Sequence, residues 1–242
     1  MYSEILKSSK RKGKTRFCLA ILICFLIMHL ISPIGAEIAF AHGNREEKKI
    51  ALTFDDGPHP YFTEKILDIL EKYNVRATFF MIGENVKNYP TIARRVYEAG
   101  HEIGNHTYTH PHMKKISPDV LEQEIKKTED ALRELDIPRP ALFRPPEGFR
   151  SAEQVARIEG LGYRVVVWSL DTHDWKNTAS SLIEAQVLKT VQGGDVLLFH
   201  DYISGQNTTI AALKQIIPKF LESGYTFVTV SELLGQASAS EA

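Results

Sequence analysis

The sequence contains only two cysteines, Cys18 and Cys24, so a domain that begins later in the chain can form no disulfide. Such a domain must be stabilised by core packing, unlike the disulfide-rich scaffolds of many small secreted proteins. A strong excess of one charge is also absent, with 29 Lys and Arg against 30 Asp and Glu. Residues 1–41 hold six of those bases and two of those acids, so the remainder has 23 against 28 and a net charge of −5. This excludes the basic surface of a nucleic-acid-binding protein, and we expect no nucleic-acid partner.

No apolar run reaches the roughly 20 residues that cross a bilayer as a helix. The run at residues 17–31 is about fifteen residues long and follows six Lys and Arg residues. This arrangement is typical of a signal peptide, and Ala-Phe-Ala at residues 39–41 is the small-x-small pattern that a signal peptidase recognises. We therefore predict that residues 1–41 are a signal peptide cleaved before His42, with an uncleaved signal anchor as the alternative.

The rest of the chain is predicted to be one domain between two short segments. Residues 42–48 are polar and charged, as expected of a linker, and residues 235–242 are expected to form a flexible tail. Residues 49–234 are long enough to bury one sizeable core. We expect a monomer that is secreted, or anchored at the outer face of the cytoplasmic membrane or in the cell wall. Membrane contact is expected only through residues 17–31, if these are retained.

Short, continuously apolar β-rich runs alternate with helical patterns from residue 49 onward. Strands of a parallel sheet that is covered on both faces have this composition, so the pattern predicts an α/β fold. Both an open sheet and a barrel satisfy it. The seven predicted strands lie at residues 50–54, 77–82, 101–104, 141–143, 164–169, 195–199 and 225–230. The six predicted helices lie at residues 63–73, 91–99, 119–135, 152–161, 182–191 and 210–223.

Ionisable residues follow five of these strands, at the point where each strand ends. In β/α barrels the active site is built from side chains at the carboxyl ends of several strands. The placement therefore predicts one shared site and favours an incomplete barrel over an open sheet. The residues concerned are Asp55, Asp56, His106, Arg144, Asp171, Asp174 and His200.

Two histidines and one aspartate form a candidate metal site. His106 and His110 are four residues apart, which places both imidazoles on one face if the segment takes a helical turn. Asp56 would complete a His-His-carboxylate set, which leaves coordination positions open for water and substrate, as catalytic zinc sites require. The alternative is that the two histidines only cap a loop.

Asp55 and His200 are candidates for acid–base chemistry. Adjacent side chains diverge, so Asp55 can accept a proton from water while Asp56 binds a cation, and a turn at this point is compatible with both roles. A divalent cation makes hydroxide available near neutral pH. His200 ends an apolar strand and could act as a general acid, with Asp174 or Asp171 fixing its tautomer and raising its pKa.

Three further side chains could support this site. Arg144 precedes two prolines that stiffen the backbone, so it could keep Asp55 oriented and ionised, or it could form an ordinary surface ion pair. Trp175 is either a sugar-binding platform or a buried core residue. Leu198 alternates onto the same face as His200 and could line an apolar pocket for a methyl group.

Five short segments, spread over residues 50–230, carry these candidates. They are TFDDGP at 53–58, HTYTH at 106–110, RPPEG at 144–148, DTHDW at 171–175 and LFH at 198–200. In this order they resemble the motifs of the polysaccharide deacetylases of carbohydrate esterase family four, the NodB-homology family. The resemblance implies a distorted, incomplete (β/α)7 barrel. It also implies an enzyme that removes N-acetyl groups from an amino-sugar polysaccharide, peptidoglycan or a chitin-like oligosaccharide.

The resemblance also implies roles for individual residues. A divalent cation, usually zinc or cobalt, with nickel and manganese as alternatives, would be held by Asp56, His106 and His110. The implied base is Asp55 with Arg144 as its partner, and the implied acid is His200 with Asp174 as its partner. The implied substrate-binding residues are Pro146, Glu147, Trp175 and Leu198.

Glu147 departs from the family pattern, because many members carry an aromatic residue there. The backbone N–H at this position stabilises the oxyanion in the family, and glutamate can supply it. The Glu147 carboxylate, however, could repel anionic glycans or bind a substrate hydroxyl. Two alternatives to an N-deacetylase are an esterase that removes O-acetyl groups from a xylan-type glycan and a non-catalytic wall-binding module.

Overall fold

Strand β1 is the hub of the sheet in the computed structural model, which describes residues 39–202 and 208–235. It pairs in parallel with β2, β7 and β8. Its side chains after the first residue are all buried, and Phe54 contacts the rings of Phe79 and Phe199 at 4.9 and 6.0 Å. Burial on both faces explains the continuous apolar run in the sequence. The strands are β1 Lys49–Asp55, β2 Thr78–Met81, β3 Glu102–Asn105, β4 Leu142–Phe143, β5 Arg164–Val165, β6 Leu170–Asp171, β7 Val196–His200 and β8 Thr226–Phe227.

The strands follow the order β5-β4-β3-β2-β1-β7-β6, and all of these pairings are parallel. Within the two described ranges, the outer strands β5 and β6 do not pair with each other. The sheet is therefore an unclosed barrel surrounded by helices. This confirms the prediction of a distorted, incomplete (β/α)7 barrel in a single domain.

The described residues contain eight strands where seven were predicted, because one predicted run divides. Residues 164–169 were expected to form one strand, but they supply only β5, and β6 begins after them at Leu170. The run at 225–230 is also shorter than expected. Its two-residue strand β8 pairs with the start of β1, and Thr229 then begins a helix with a capping box that includes Glu232.

The six predicted helices are present, and two short helices, α2 and α8, were missed. The N-terminus of α4 follows the predicted signal, because the Ser117 hydroxyl accepts the Val120 N–H and Pro118 is the first helical residue. The helices are α1 Phe62–Lys72, α2 Gly83–Asn88, α3 Pro90–Glu98, α4 Pro118–Arg133, α5 Ala152–Gly160, α6 Ser180–Thr190, α7 Thr209–Glu222 and α8 Val230–Leu233.

Residues 42–48, the predicted linker, contact the barrel through His42 and Arg45. Just before it, the Phe40 N–H donates to the Val165 carbonyl at 2.9 Å, and the Phe40 carbonyl accepts the Val167 N–H at 2.8 Å. His42 forms a bridge with Asp195, and Arg45 forms an ion pair with the same aspartate. Phe40 thus satisfies backbone groups beside β5 that an edge strand would otherwise leave free.

Residues 1–38, most of the predicted signal segment, lie outside the described residues, as do residues 236–242 of the predicted tail. In the part of the chain that the structure describes, no helix is both long enough and apolar enough to cross a membrane.

Candidate active site

The two adjacent aspartates at the end of β1 point to different partners. Asp55 is 3% exposed, and its Oδ1 accepts a hydrogen bond from Arg144 at 2.7 Å. Asp56 has a left-handed backbone conformation, with φ of 78°, which turns the chain out of the strand. Its Oδ1 lies 3.5 Å from His106 Nε2 and 3.4 Å from His110 Nε2. The divergence predicted from the sequence is therefore present.

His106 and His110 do come together, although the helical turn expected for this segment is absent. Residues 106–110 form a loop in which Thr107 and His110 both have positive φ, 69° and 54°. The two imidazole rings are 5.1 Å apart. The His106 Nδ1 lies 2.7 Å from the Arg144 carbonyl oxygen, which can only accept a hydrogen bond, so Nδ1 carries the hydrogen and Nε2 is left as the ligand atom.

A buried glutamate that sequence reasoning missed holds this loop. Glu124, 6% exposed, accepts the N–H of Tyr108 at 3.0 Å and the N–H and hydroxyl of Thr109 at 2.7 and 3.0 Å. From the other side, the Gly83 N–H at the start of α2 donates to the Thr107 carbonyl at 2.9 Å. In the sequence, Glu124 is one polar position of an amphipathic helix, so no local signal distinguished it.

The residues Asp56, His106 and His110 fit a divalent cation. Each offers a ligand atom, and these atoms lie within 4.8 Å of one another. The Asp56 Oδ1 is buried, and no hydrogen-bond donor reaches it in the described residues. A buried acceptor without a donor is costly, and a cation would satisfy it. Two imidazoles and a carboxylate suit zinc, and they also suit cobalt, nickel or manganese.

The electrostatics of the cluster favour the same conclusion. Burial lowers the pKa of His106, but the negative charges of Asp55 and Asp56 outweigh it and raise that pKa above its ordinary value. Burial and the neighbouring His106 lower the pKa of His110. The same negative charges that raise the pKa of His106 would attract a metal ion to the cluster.

Arg144 is completely buried, so the alternative of a surface ion pair is excluded. Besides Asp55, its guanidinium donates to the Thr53 hydroxyl at 2.8 Å and to the Val167 carbonyl at 3.0 Å. Its carbon Cζ lies 4.0 Å from the centre of the Phe80 ring. Donors and ring contact together fix the guanidinium in one orientation.

Asp174, rather than Asp171, is the partner of His200. The Asp174 side chain is fully buried and accepts the His200 N–H at 2.8 Å through Oδ2, while its Oδ1 lies 2.8 Å from the ring Nδ1. Burial alone would lower the pKa of His200, but the hydrogen bond and charge of Asp174, with smaller contributions from Asp55 and Asp56, raise it to about 9. His200 is therefore protonated at neutral pH. Asp171 accepts the His173 N–H instead.

The cluster and His200 share one pocket of about 490 Å³. Trp175 is 48% exposed there, which excludes the core alternative, and Leu198 is nearly buried in the pocket wall. Glu147 has φ of 57° and lies 3.0 Å from His112. Pro146 is buried and is not among the lining residues, so its predicted contact with substrate stays a prediction. The lining residues are Asp55, Asp56, His106, His110, Glu147, Trp168, Asp171, Trp175, Leu198 and His200.

A second missed carboxyl group, Asp201, lies behind the loop that carries Asp56. Its Oδ2 accepts the Thr63 hydroxyl at 2.6 Å, and the same hydroxyl oxygen accepts the His59 N–H at 2.7 Å. Gly57 packs so closely on the carboxyl group that a Cβ would overlap it. Burial, opposed by the Thr63 hydrogen bond and reinforced by the charges of Asp56 and Asp55, raises the pKa of Asp201 to about 7.

Comparison with known proteins agrees with this geometry. The family model described as polysaccharide deacetylase matches residues 42–166. The chain belongs to this family. A peptidoglycan-N-acetylglucosamine deacetylase of Bacillus cereus is 42% identical over 190 residues, which cover 78% of this chain and 89% of that protein. A peptidoglycan-N-acetylmuramic acid deacetylase, PdaC of Bacillus subtilis, is 37% identical over 77% of this chain and 39% of its own length.

Solved structures extend the likeness to three dimensions. The crystal structure of the Bc1960 peptidoglycan N-acetylglucosamine deacetylase, bound to a naphthalenyl N-oxidanyl-benzamide, superposes with a TM-score of 0.81 at 37% identity. The match covers 86% of this chain and 98% of that one. Membership of the family, together with deacetylase relatives that are similar over most of the chain, identifies the chain as a polysaccharide N-deacetylase, a hydrolase.

Proposed function

We propose that this polysaccharide deacetylase removes acetyl groups from N-acetylglucosamine units of peptidoglycan in a divalent-metal-dependent reaction. The observation that carries the proposal is the placement of Asp55 beside the Asp56–His106–His110 cluster, with His200 in the same pocket. The names of the Bacillus cereus relative and of the Bc1960 structure support the choice of substrate.

Asp56, His106 and His110 would hold the cation. When bound, a divalent cation lowers the pKa of water and polarises a carbonyl oxygen. The chain itself prepares the cluster, because the Arg144 carbonyl fixes the His106 tautomer and Glu124 fixes the loop between the two histidines. These supporting contacts orient the ligand atoms before any ion arrives.

Asp55 acts as the general base in this proposal. Its Oδ2 lies 3.7 Å from His106 Nε2, so the carboxylate is next to the cluster without belonging to it. Arg144 engages the other oxygen, Oδ1, and leaves Oδ2 to accept a proton from water. The hydroxide that is left then adds to the carbonyl carbon of the acetamido group, and the backbone N–H of Glu147 stabilises the developing oxyanion.

His200 acts as the general acid. As the carbon–nitrogen bond breaks, its ring donates a proton to the amine, and the electron pair of that bond stays on nitrogen. The products are acetate and a free amino sugar. The proton that Asp55 took from water then returns to His200, so both residues are back in their starting states. Leu198 in the pocket wall would contact the acetyl methyl group, and Trp175 at the rim would contact the sugar.

The carboxylates of Glu147 and Asp171 in the pocket favour N-acetylglucosamine over N-acetylmuramic acid. The second sugar carries an additional lactyl carboxylate, and like charges repel in a partly desolvated site. PdaC, whose name gives N-acetylmuramic acid as its sugar, is less identical to this chain than the Bacillus cereus protein is. We include in the proposal that the enzyme is a monomer that acts outside the cytoplasmic membrane.

Acetate release after metal reconstitution tests the proposal. Purified peptidoglycan and chitooligosaccharide should both release acetate, and mass spectrometry of digested peptidoglycan should locate the free amines on glucosamine. Free amines on muramic acid instead would contradict the assigned sugar. Release from acetylxylan alone would establish an O-acetyl esterase, and glycan binding without any release would establish a non-catalytic module.

A further inference from the structure

The first turn of the short helix α2 contacts both loops that carry the candidate metal ligands. Asp56 lies on one loop, directly after β1, and His106 and His110 lie on the other, directly after β3. Helix α2 follows β2, and β2 is the strand that lies between β1 and β3 in the sheet. The helix is therefore placed where it can hold the two loops at a fixed separation.

Two hydrogen bonds join α2 to the loop that carries Asp56. The side-chain amide of Asn85 donates to the Asp56 carbonyl at 2.7 Å, and the Ile82 N–H donates to the Gly57 carbonyl at 3.0 Å. Asp56 has a φ of 78°, so neighbouring contacts must hold its backbone in a conformation that residues other than glycine seldom adopt. Asn85 is half-buried, which shields its hydrogen bond from competing water.

Two further hydrogen bonds join α2 to the loop that carries the histidines. The Gly83 N–H donates to the Thr107 carbonyl at 2.9 Å, and the Glu84 N–H donates to the Tyr108 carbonyl at 3.0 Å. Both carbonyls lie between the two histidines in the chain. The approach is close, because a Cβ on Gly83 would lie 2.6 Å from the Thr128 hydroxyl oxygen and 2.6 Å from the Tyr108 ring. Glycine at this position therefore lets the helix reach the loop.

We propose that residues 82–85 set the distance between Asp56 and the two histidines, with Asn85 as a positioning residue for Asp56. This inference rests on the proposed function, because the distance matters only if the three side chains share a cation. Zinc binds nitrogen and oxygen at about 2.0–2.2 Å, so two ligand atoms of a tetrahedral site are about 3.4 Å apart. The Asp56 Oδ1 lies 3.5 and 3.4 Å from the two histidine nitrogens, which is the separation that a shared cation requires.

Titration of zinc into metal-free protein, with a competing chelator, tests the role of Asn85. Asn85→Ala removes the donor to the Asp56 carbonyl, so zinc affinity should fall by about tenfold, as for other groups that support metal ligands. Asn85→Leu keeps the side-chain volume without a donor and should show the same loss, so the test does not depend on the alanine variant alone. Asn85→Gln keeps an amide donor and should recover part of the affinity. Asn88→Ala, at an exposed position of the same helix, is the matched control and should bind zinc like the wild type.

The visible absorption of bound Co²⁺ gives a second readout, because it reports the arrangement of the ligands and not the stability of the fold. The spectrum should change in Asn85→Ala and Asn85→Leu and stay the same in Asn88→Ala. Unchanged zinc affinity in the Asn85 variants would overturn the inference, even if the Tm of the metal-free protein fell, as would equal losses of affinity in Asn85→Ala and Asn88→Ala. Zinc binding without acetate release by the wild type would contradict the proposed function instead, while the affinities would still decide the role of Asn85.

Discussion

The Nη1 atom of Arg144 donates a hydrogen bond of 2.7 Å to Oδ1 of Asp55, and these side chains are 0% and 4% exposed. A buried charge without its partner is strongly unfavourable, so each of these residues requires the other. The pair fixes the Asp55 carboxylate so that only its second oxygen faces the pocket. The proposed base is thus oriented by the core of the protein rather than by the substrate.

Replacing Asp55 separates catalysis from folding. In Asp55→Asn the amide oxygen can still accept from Arg144, so we expect a folded protein that retains its metal. Acetate release should fall by about 100-fold or more, as expected for loss of a general base. Arg144→Ala should instead lower the free energy of unfolding by about 3–5 kcal/mol. Near-normal acetate release by Asp55→Asn would show that the base is a different residue.

Removal of a ligand should abolish metal binding. We expect His106→Ala to lose both the metal and the activity, and a chelator to inactivate the wild type reversibly. The raised pKa of His106 in the absence of metal means that protons compete for the site, so metal affinity should fall as the pH is lowered. Metal titrations between about pH 5.5 and 8, a range that includes the ordinary histidine pKa of about 6.5, measure this dependence of metal affinity on pH. An affinity independent of pH would contradict the ligand assignment.

The alkaline limit of activity should report His200. A histidine with a pKa raised to about 9 is protonated at neutral pH and loses its proton as the pH rises through that value, so kcat/KM should fall there. A bound cation opposes the influence of Asp55 and Asp56, which places the limit somewhat lower. Asp174→Asn should move the limit to lower pH. Asp171→Asn, which does not touch His200, should leave it in place.

Glu124 should control metal affinity from outside the ligand set. Glu124→Gln replaces an acceptor of two backbone N–H groups by a group that also carries donors, so the loop between His106 and His110 should loosen. We expect metal affinity to fall by about tenfold, as for other residues that support metal ligands. Glu122→Gln on the same helix is the control, because its partners Lys126 and Arg157 are surface residues. Equal effects of the two substitutions would exclude a specific role.

Asp201 should make stability depend on pH. A carboxyl group whose folded pKa is raised to about 7 holds its proton more tightly in the folded state, so its contribution is complete below the unfolded value and declines as the pH rises through 7. Asp201→Asn cannot ionise, so relative to wild type it should gain stability between about pH 4 and 8, by about 1.4 kcal/mol per unit of pKa difference. Urea unfolding of metal-free protein measures this. The exposed Asp130→Asn should show no such trend.

The sequence was sufficient to predict the barrel and to predict that the candidate ligand and acid–base residues lie at one edge of its sheet, because both predictions depend on short-range patterns. Apolar runs such as that of β1 reveal buried strands, and polar residues at their ends reveal the shared edge. The conformation of the 106–110 loop could not be predicted, since the same spacing of histidines arises in a helix and in a loop with two left-handed residues. Only the structure shows which conformation brings the two histidines together.

The supporting residues were missed for a different reason. Glu124 and Asp201 act through contacts with segments 15 and 138 residues away in the sequence, to Thr109 and Thr63. A single buried carboxyl group in a helix or after a strand resembles a solvent-exposed one in composition. The sequence did not decide which aspartate is the partner of His200. Asp171 and Asp174 lie close together in sequence, and only the turn between them determines which one reaches the ring.

The backbone pairing of Phe40 with Val165 and Val167 bears on the predicted cleavage before His42. Signal-peptidase cleavage before His42 would remove Phe40. The two main-chain hydrogen bonds of Phe40 with Val165 and Val167 would then be lost. Maturation upstream of Ala39, or retention of the leader, would preserve them. The N-terminal residue of the protein isolated from cells, determined by mass spectrometry, therefore reports whether Phe40 and its pairing with Val165 and Val167 are kept.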